Sequence, residues 1–110
     1  MEMDMCYFGP EKKRYETRGI KTNLPIEYRL LLWLLIDDMR ENVKMDYLQI
    51  FKFYVEKNEA GILVQRITHC QEVEKFSHTY EFQLGDVWLR ENVYVIDDGE
   101  QCTMLWASEY

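Results

Sequence analysis

Two prolines and five glycines in 110 residues leave little material for a flexible linker, and no stretch is of low complexity. No run of 18 apolar residues occurs, so the sequence offers no transmembrane helix. The acidic start, Met1 to Met5, lacks the apolar core of a signal peptide, which points to a cytoplasmic protein away from membranes. Cysteine is scarce and scattered: Cys6, Cys70 and Cys102 are odd in number and form no C-x2-C pair. That spacing suits free thiols in a reducing compartment, not a zinc site or a disulfide framework. The catalytic signatures G-x-S-x-G, G-x-G-x-x-G, H-E-x-x-H and the P-loop are all missing. Positive charge is also short. Residues 1–55 carry nine Lys/Arg and nine Asp/Glu, whereas residues 56–110 carry four against eleven, which is the entire net charge of −7. Free nucleic acid is repelled by such a half, whereas a basic protein surface is attracted.

What the chain has is apolar and aromatic residues, 47% and 15%. They are enough for one core, so the expectation is a loose lead-in over residues 1–11 and a single domain over 12–110. Seven apolar residues, Leu30 to Ile36, lie inside the polar-flanked segment Asn23–Asn42. This is too long for an ordinary strand and is read as a buried helix starting at Pro25. At 100° per residue, Leu24, Tyr28, Leu31, Leu32, Leu35, Ile36 and Met39 share the inward face. Ile26, Leu30, Trp33 and Leu34 fall outward. That belt is either covered by another part of the chain or is a docking surface, for a partner or for a second copy in a homodimer.

The remainder reads as strands. Asp46–Glu56 and Gly61–Val73 alternate and are joined by the turn residues Lys57 to Gly61; Thr79–Leu84 alternates after a turn over Glu74–His78. Gly85–Asn92 is a loop carrying Trp88. Val93–Asp97 and Cys102–Ser108 flank Asp98-Gly99, a strong hairpin signal. Tyr15–Ile20, broken by Gly19, is read as an edge strand and turn, with Lys12, Lys13 and Arg14 guarding the edge. The fold expected is α+β: one long buried helix on a mainly antiparallel sheet of five or six strands.

Several words in the chain carry a resemblance. They are Arg14-Tyr15 with Thr17-Arg18-Gly19-Ile20, Leu24-Pro25-Ile26-Glu27 with Trp33, Asp46 to Phe51, Gln71-Glu72-Val73, Val95 to Gly99, and Thr103 to Tyr110. Over residues 14–110 the sequence resembles the domain of unknown function 960 family of Gram-positive bacteria and their phages. The chain has His69-Cys70-Gln71-Glu72-Val73-Glu74 where that family has His-x-Gln-Glu-x-Pro, and Trp106 where it has Leu. The resemblance implies a phage- or mobile-element-associated setting and carries over no catalytic residue.

Ionisable candidates for a polar site are His69, Glu72, Asp97 and Asp98, with Glu109 beside them. On a regular strand His69 and Glu72 face opposite ways, and Asp97-Asp98 is explained by turn chemistry. No cofactor or metal is therefore expected. The leading expectation is a non-enzymatic interaction module binding a host protein through Ile26, Leu30, Trp33 and Leu34, for example an anti-CRISPR-type inhibitor whose carboxylates stand in for phosphates. The alternative is a small metal-dependent or acid–base enzyme using His69 and the Asp97/Asp98 turn.

Overall fold

Leu30 to Ile36 occupies the middle of the longest helix, the third element of the chain. The computed structural model describes residues 7–110, and the thiol expected at Cys6 lies outside that range. The first elements are β1 (Lys13–Glu16), α1 (Arg18–Asn23) and α2 (Ile26–Arg40). Helix α2 starts on Pro25, whose carbonyl accepts from the N–H groups of Tyr28 and Arg29 at 3.0 and 3.1 Å. Proline has no N–H to leave unpaired there, and Glu27 in the first turn and Arg40 in the last complement the helix dipole. Neither α2 nor any other helix of the described residues is long and apolar enough to cross a membrane.

Five strands follow: β2 (Leu48–Lys57), β3 (Leu63–Gln71), β4 (Phe76–Gln83), β5 (Asn92–Asp97) and β6 (Gln101–Trp106). With β1 they form one six-stranded sheet in the order β1-β6-β5-β2-β3-β4. Every pair is antiparallel except β1 with β6, so the domain is α+β with a mainly antiparallel sheet. Cross-strand registers put His69, Phe51, Val93 and Trp106 in one row beneath α2. Leu32, Ile36 and Met39 of the helix close the same core. On the opposite face a row of Cys70, Ile50, Tyr94 and Leu105 is only partly buried. The turns follow their residues: Asn58 Oδ1 accepts from Ala60 and Ile62, and Gly61 and Gly99 take the positive φ their turns require.

Three expectations need correction. Tyr15–Ile20 is not strand and turn throughout: the strand ends at Glu16, Thr17 caps α1 by accepting from the Ile20 N–H at 3.2 Å, and Gly19 lies inside that short helix. A Cβ at Gly19 would sit 2.8 Å from Glu109 Oε2, so a larger residue there would displace the end of that side chain. The turn after β3 is shorter than Glu74–His78, and β4 is already in the sheet at Phe76. Tyr7 to Glu11 is not a loose lead-in: Phe8 is 1% exposed and its N–H donates to Asp97 Oδ2 at 2.7 Å. Helix α2 itself runs Ile26–Arg40 with Pro25 at its cap, inside the Asn23–Asn42 segment as expected.

Candidate functional site

The outward side of α2 divides into a sealed flank, an exposed crest and an open flank. The sealed flank faces β1. There Trp33 is 9% exposed, its indole N–H donates to Glu16 Oε2 at 2.9 Å, and the Arg14 guanidinium lies 4.8 Å over its ring. Trp33 therefore leaves the expected docking belt. The helical wheel placed it outward, and the structure corrects this: Trp33 is buried with the core because β1 runs alongside the helix and covers that side. Arg14 also pairs with Asp37, Arg40 bridges Asp37 and the Phe8 carbonyl, and Arg29 pairs with Glu16 at 2.9 Å. Both cations of α2 are thus engaged on this flank. The Arg14 contact holds the Asp37 carboxyl below its usual range.

The crest is apolar and open. Ile26, Leu30 and Leu34 are 55%, 63% and 63% exposed, one helical turn apart along a single row. Among the described residues nothing covers more than half of any of the three side chains.

The open flank faces β4. A cleft of about 550 Å³ runs there between the start of α2 and the end of β4, lined by Glu27, Tyr28, Leu31, Phe82, Asp86 and Val87 among others. Its floor is built by Tyr28, which meets Phe53 and Phe82 edge-on at 5.5 and 6.2 Å. Burial, then the Glu27 carboxylate, raises the Tyr28 phenol above its ordinary value; burial and Asp38 act likewise on Tyr80. Acidic groups therefore border both ends of this flank. The loop at one end is anchored by Gln65, whose amide donates to the Leu89 carbonyl at 2.9 Å and accepts from the Leu89 N–H at 3.0 Å.

The residues expected as a polar site do not come together. His69 is 1% exposed on β3, stacked 4.2 Å from Phe51, with Nε2 bonded to Gln49 Oε1 at 2.7 Å. Burial, with His78 adding to it, lowers its pKa to about 4. Asp97 ends β5, with β2 lying between it and β3, and its carboxylate is consumed by the Phe8 N–H, the Gly99 N–H and Lys12 Nζ, each at 2.7 Å. Burial opposes its ionisation, but these donors outweigh burial and hold it below the usual carboxylate range. Asp98 accepts from Glu100 and Gln101 as a turn residue, and Glu72 lies in the turn after β3. Glu109 ties the C-terminal turn to α1 through Thr17 and the Trp106 N–H. Among the described residues, no three His, Cys, Asp or Glu side chains converge as metal ligands would. Cys70 and Cys102 are free, and burial pushes the Cys102 thiol up to about 11, far from a reactive thiolate.

With this geometry in view, comparison with known proteins places the chain. A family model described as a Staphylococcal protein of unknown function (DUF960) matches residues 13–109. The chain belongs to this family. No curated protein matches it. Among solved structures, the crystal structure of a protein of unknown function from Enterococcus faecalis is similar, with a TM-score of 0.74, 22% identity and 94% of each chain covered. At that identity the likeness establishes the fold alone.

Glu74 adopts φ 56°, a left-handed conformation closed to proline, and its carbonyl accepts from Gln71 Nε2 at 2.8 Å. Gln71 also accepts from Gln49 Nε2 at 2.6 Å, so the turn is anchored to the buried His69 network. What sequence reasoning missed was the β4 flank. Its signal was present in the composition of Phe76 to Gln83, an eight-residue strand with no Lys, Arg or Pro.

Proposed function

We propose that this DUF960 protein is a non-enzymatic protein-interaction module, and that its partner docks on the crest of α2. The observation that carries this is the exposed row of Ile26, Leu30 and Leu34 on a helix whose neighbouring flank is sealed by ion pairs. Apolar side chains in a row on otherwise ordered structure mark interaction surfaces. The excess of carboxylates in residues 56–110 suits a basic partner. The finer form of the proposal is a phage or mobile-element accessory protein that binds a host protein in the cytoplasm. An inhibitor of a nucleic-acid-handling host enzyme, with carboxylates in place of phosphates, is one such form. A homodimer through the row alone is not favoured, since three side chains fall well short of the ~1,200 Å² of a specific interface. The enzyme alternative has lost its geometric basis, because His69 and the Asp97/Asp98 turn lie on separate strands with β2 between them.

The test is capture from a Gram-positive lysate by the wild type and by the double variant Leu30→Asp/Leu34→Asp. Both positions are exposed, so the variant is expected to keep the fold, with stability changes within about 0.5 kcal/mol each. Partner recovery is expected to fall at least tenfold. Equal recovery by two folded proteins removes the row from the account.

A further inference from the structure

The two edges of the sheet are built differently. Strand β1 is four residues long, carries Lys13 and Arg14 and follows Lys12; strand β4 is eight residues long and has no Lys, Arg or Pro. Its register with β3 is continuous from Gln71↔Phe76 to Val64↔Gln83, with no bulge. No described strand pairs with the other side of β4. Long, regular edges without Lys, Arg or Pro are what soluble proteins ordinarily avoid, because their free N–H and C=O groups recruit another strand; the one carboxylate of β4, Glu81, is paired with Arg66 of β3. Beside this edge runs the open flank of α2, with Leu31 and Leu35 half-buried on it and Phe82 across the cleft.

We propose that the edge of β4 and the open flank of α2 together form a slot for an extended, basic segment of the partner protein, which joins the sheet as a seventh strand. The proposal rests on the interaction-module reading and specifies its mode. Main-chain pairing supplies affinity in such recognition, and alternate side chains supply specificity. The charge around the slot fixes the chemistry of the occupant. Glu27, Asp38 and Asp86 border it, none has an ion-pair partner among the described residues, and the two arginines of α2 are committed on the opposite flank. Lys75 lies beyond, in the turn before Phe76, and Lys44 in the loop after α2, where its carbonyl accepts from Gln71 Nε2. A second copy of this chain would bring like carboxylates face to face, so the occupant is a basic segment of another protein.

Spacing sharpens the expectation. Glu27 and Asp38 are eleven residues apart on α2, roughly 16 Å along the axis. A strand covers about 13 Å in four residues, with residues i, i+2 and i+4 on one face. The segment is therefore expected to carry Lys or Arg at i and i+4 and an aliphatic side chain at i+2 over Leu31 and Phe82.

The experiment uses fluorescent nonapeptide probes centred on Lys-Thr-Leu-Thr-Lys, read by anisotropy against the full chain. The first control keeps the composition but moves the lysines to the other face, Thr-Lys-Leu-Lys-Thr. A second control is N-methylated at alternate residues, so that charge is kept and strand pairing is lost. Each control is expected to bind at least tenfold more weakly than the probe. The variant Glu27→Lys/Asp38→Lys changes only exposed side chains; it is expected to lose the lysine probe and to bind the Lys→Glu probe instead. Amide exchange should slow in Phe76–Gln83 when the lysine probe is bound. Equal binding of the N-methylated peptide, no exchange of preference in the charge-swapped variant, or no binding at millimolar probe overturns the slot. If capture through Leu30 and Leu34 still holds in that case, the interaction module stands and only its strand-pairing mode falls.

Discussion

His69 lies under the helix with one ring nitrogen bonded to Gln49, its ring stacked on Phe51 and Phe76 edge-on at 5.4 Å. It is a structural histidine kept neutral by burial, and this makes stability depend on pH. Its pKa is about 4 in the folded protein and near 6.5 when unfolded, so between those values the unfolded chain binds the extra proton. Stability contributed by the neutral ring is complete above about pH 6.5 and is lost as pH falls toward 4. Urea unfolding is expected to show wild type about 2 kcal/mol less stable at pH 5 than at pH 7 from this group. In His69→Phe that increment is expected to vanish; an unchanged slope in the variant contradicts the assignment. The alternation of β3 already told that His69 and Gln71 share a face. Which face is buried, and that Gln49 waits there, depends on the neighbouring strand and could not be read from β3 alone. Trp33 teaches the same: the wheel put it outward, but Arg14 and Glu16, which cover it, come from a strand whose parallel pairing with β6 has no local signature.

At the scale of elements, α2, the β2–β3 and β5–β6 hairpins and the Gly85–Asn92 loop were legible because period, turn chemistry and length agree. Helix α1 was not. Arg18–Asn23 contains Gly19, Thr22 and Asn23, weak helix formers, and forms because Thr17 caps it and Ile20 is fully buried. The segment before β1 failed for a related reason: two adjacent aromatic residues, Tyr7 and Phe8, in an aperiodic stretch leave no pattern. In the fold, Phe8 fills the core while Asp97 binds its N–H and Lys12, and Arg40 binds its carbonyl, strapping the segment across the β5–β6 hairpin and α2. Phe8→Ala is accordingly expected to cost about 3–5 kcal/mol in urea unfolding. A loose lead-in would give less than about 0.5 kcal/mol, and such a result would contradict the strap.

At the scale of the whole molecule, one helix on six strands leaves two broad surfaces of different character. The sheet face away from α2 carries half-buried apolar rows shielded by one another, with Tyr15 and Tyr47 about two-fifths exposed at 43% and 42%. The helix side has the more exposed row, Ile26, Leu30 and Leu34, next to an unguarded sheet edge. Sequence periodicity revealed the row because it belongs to one element. The slot beside it is made by α2 and β4, far apart in the chain, and only the strand order brings them together. The central claim is that the partner binds the helix side. Photo-crosslinking tests it most directly, with a photoreactive residue placed in separate proteins at Leu30, Leu34, Tyr15 and Tyr47 and each exposed to the same Gram-positive lysate. The account predicts a discrete crosslinked partner from positions 30 and 34 and none from 15 and 47; crosslinks from 15 and 47 with none from the helix would contradict it.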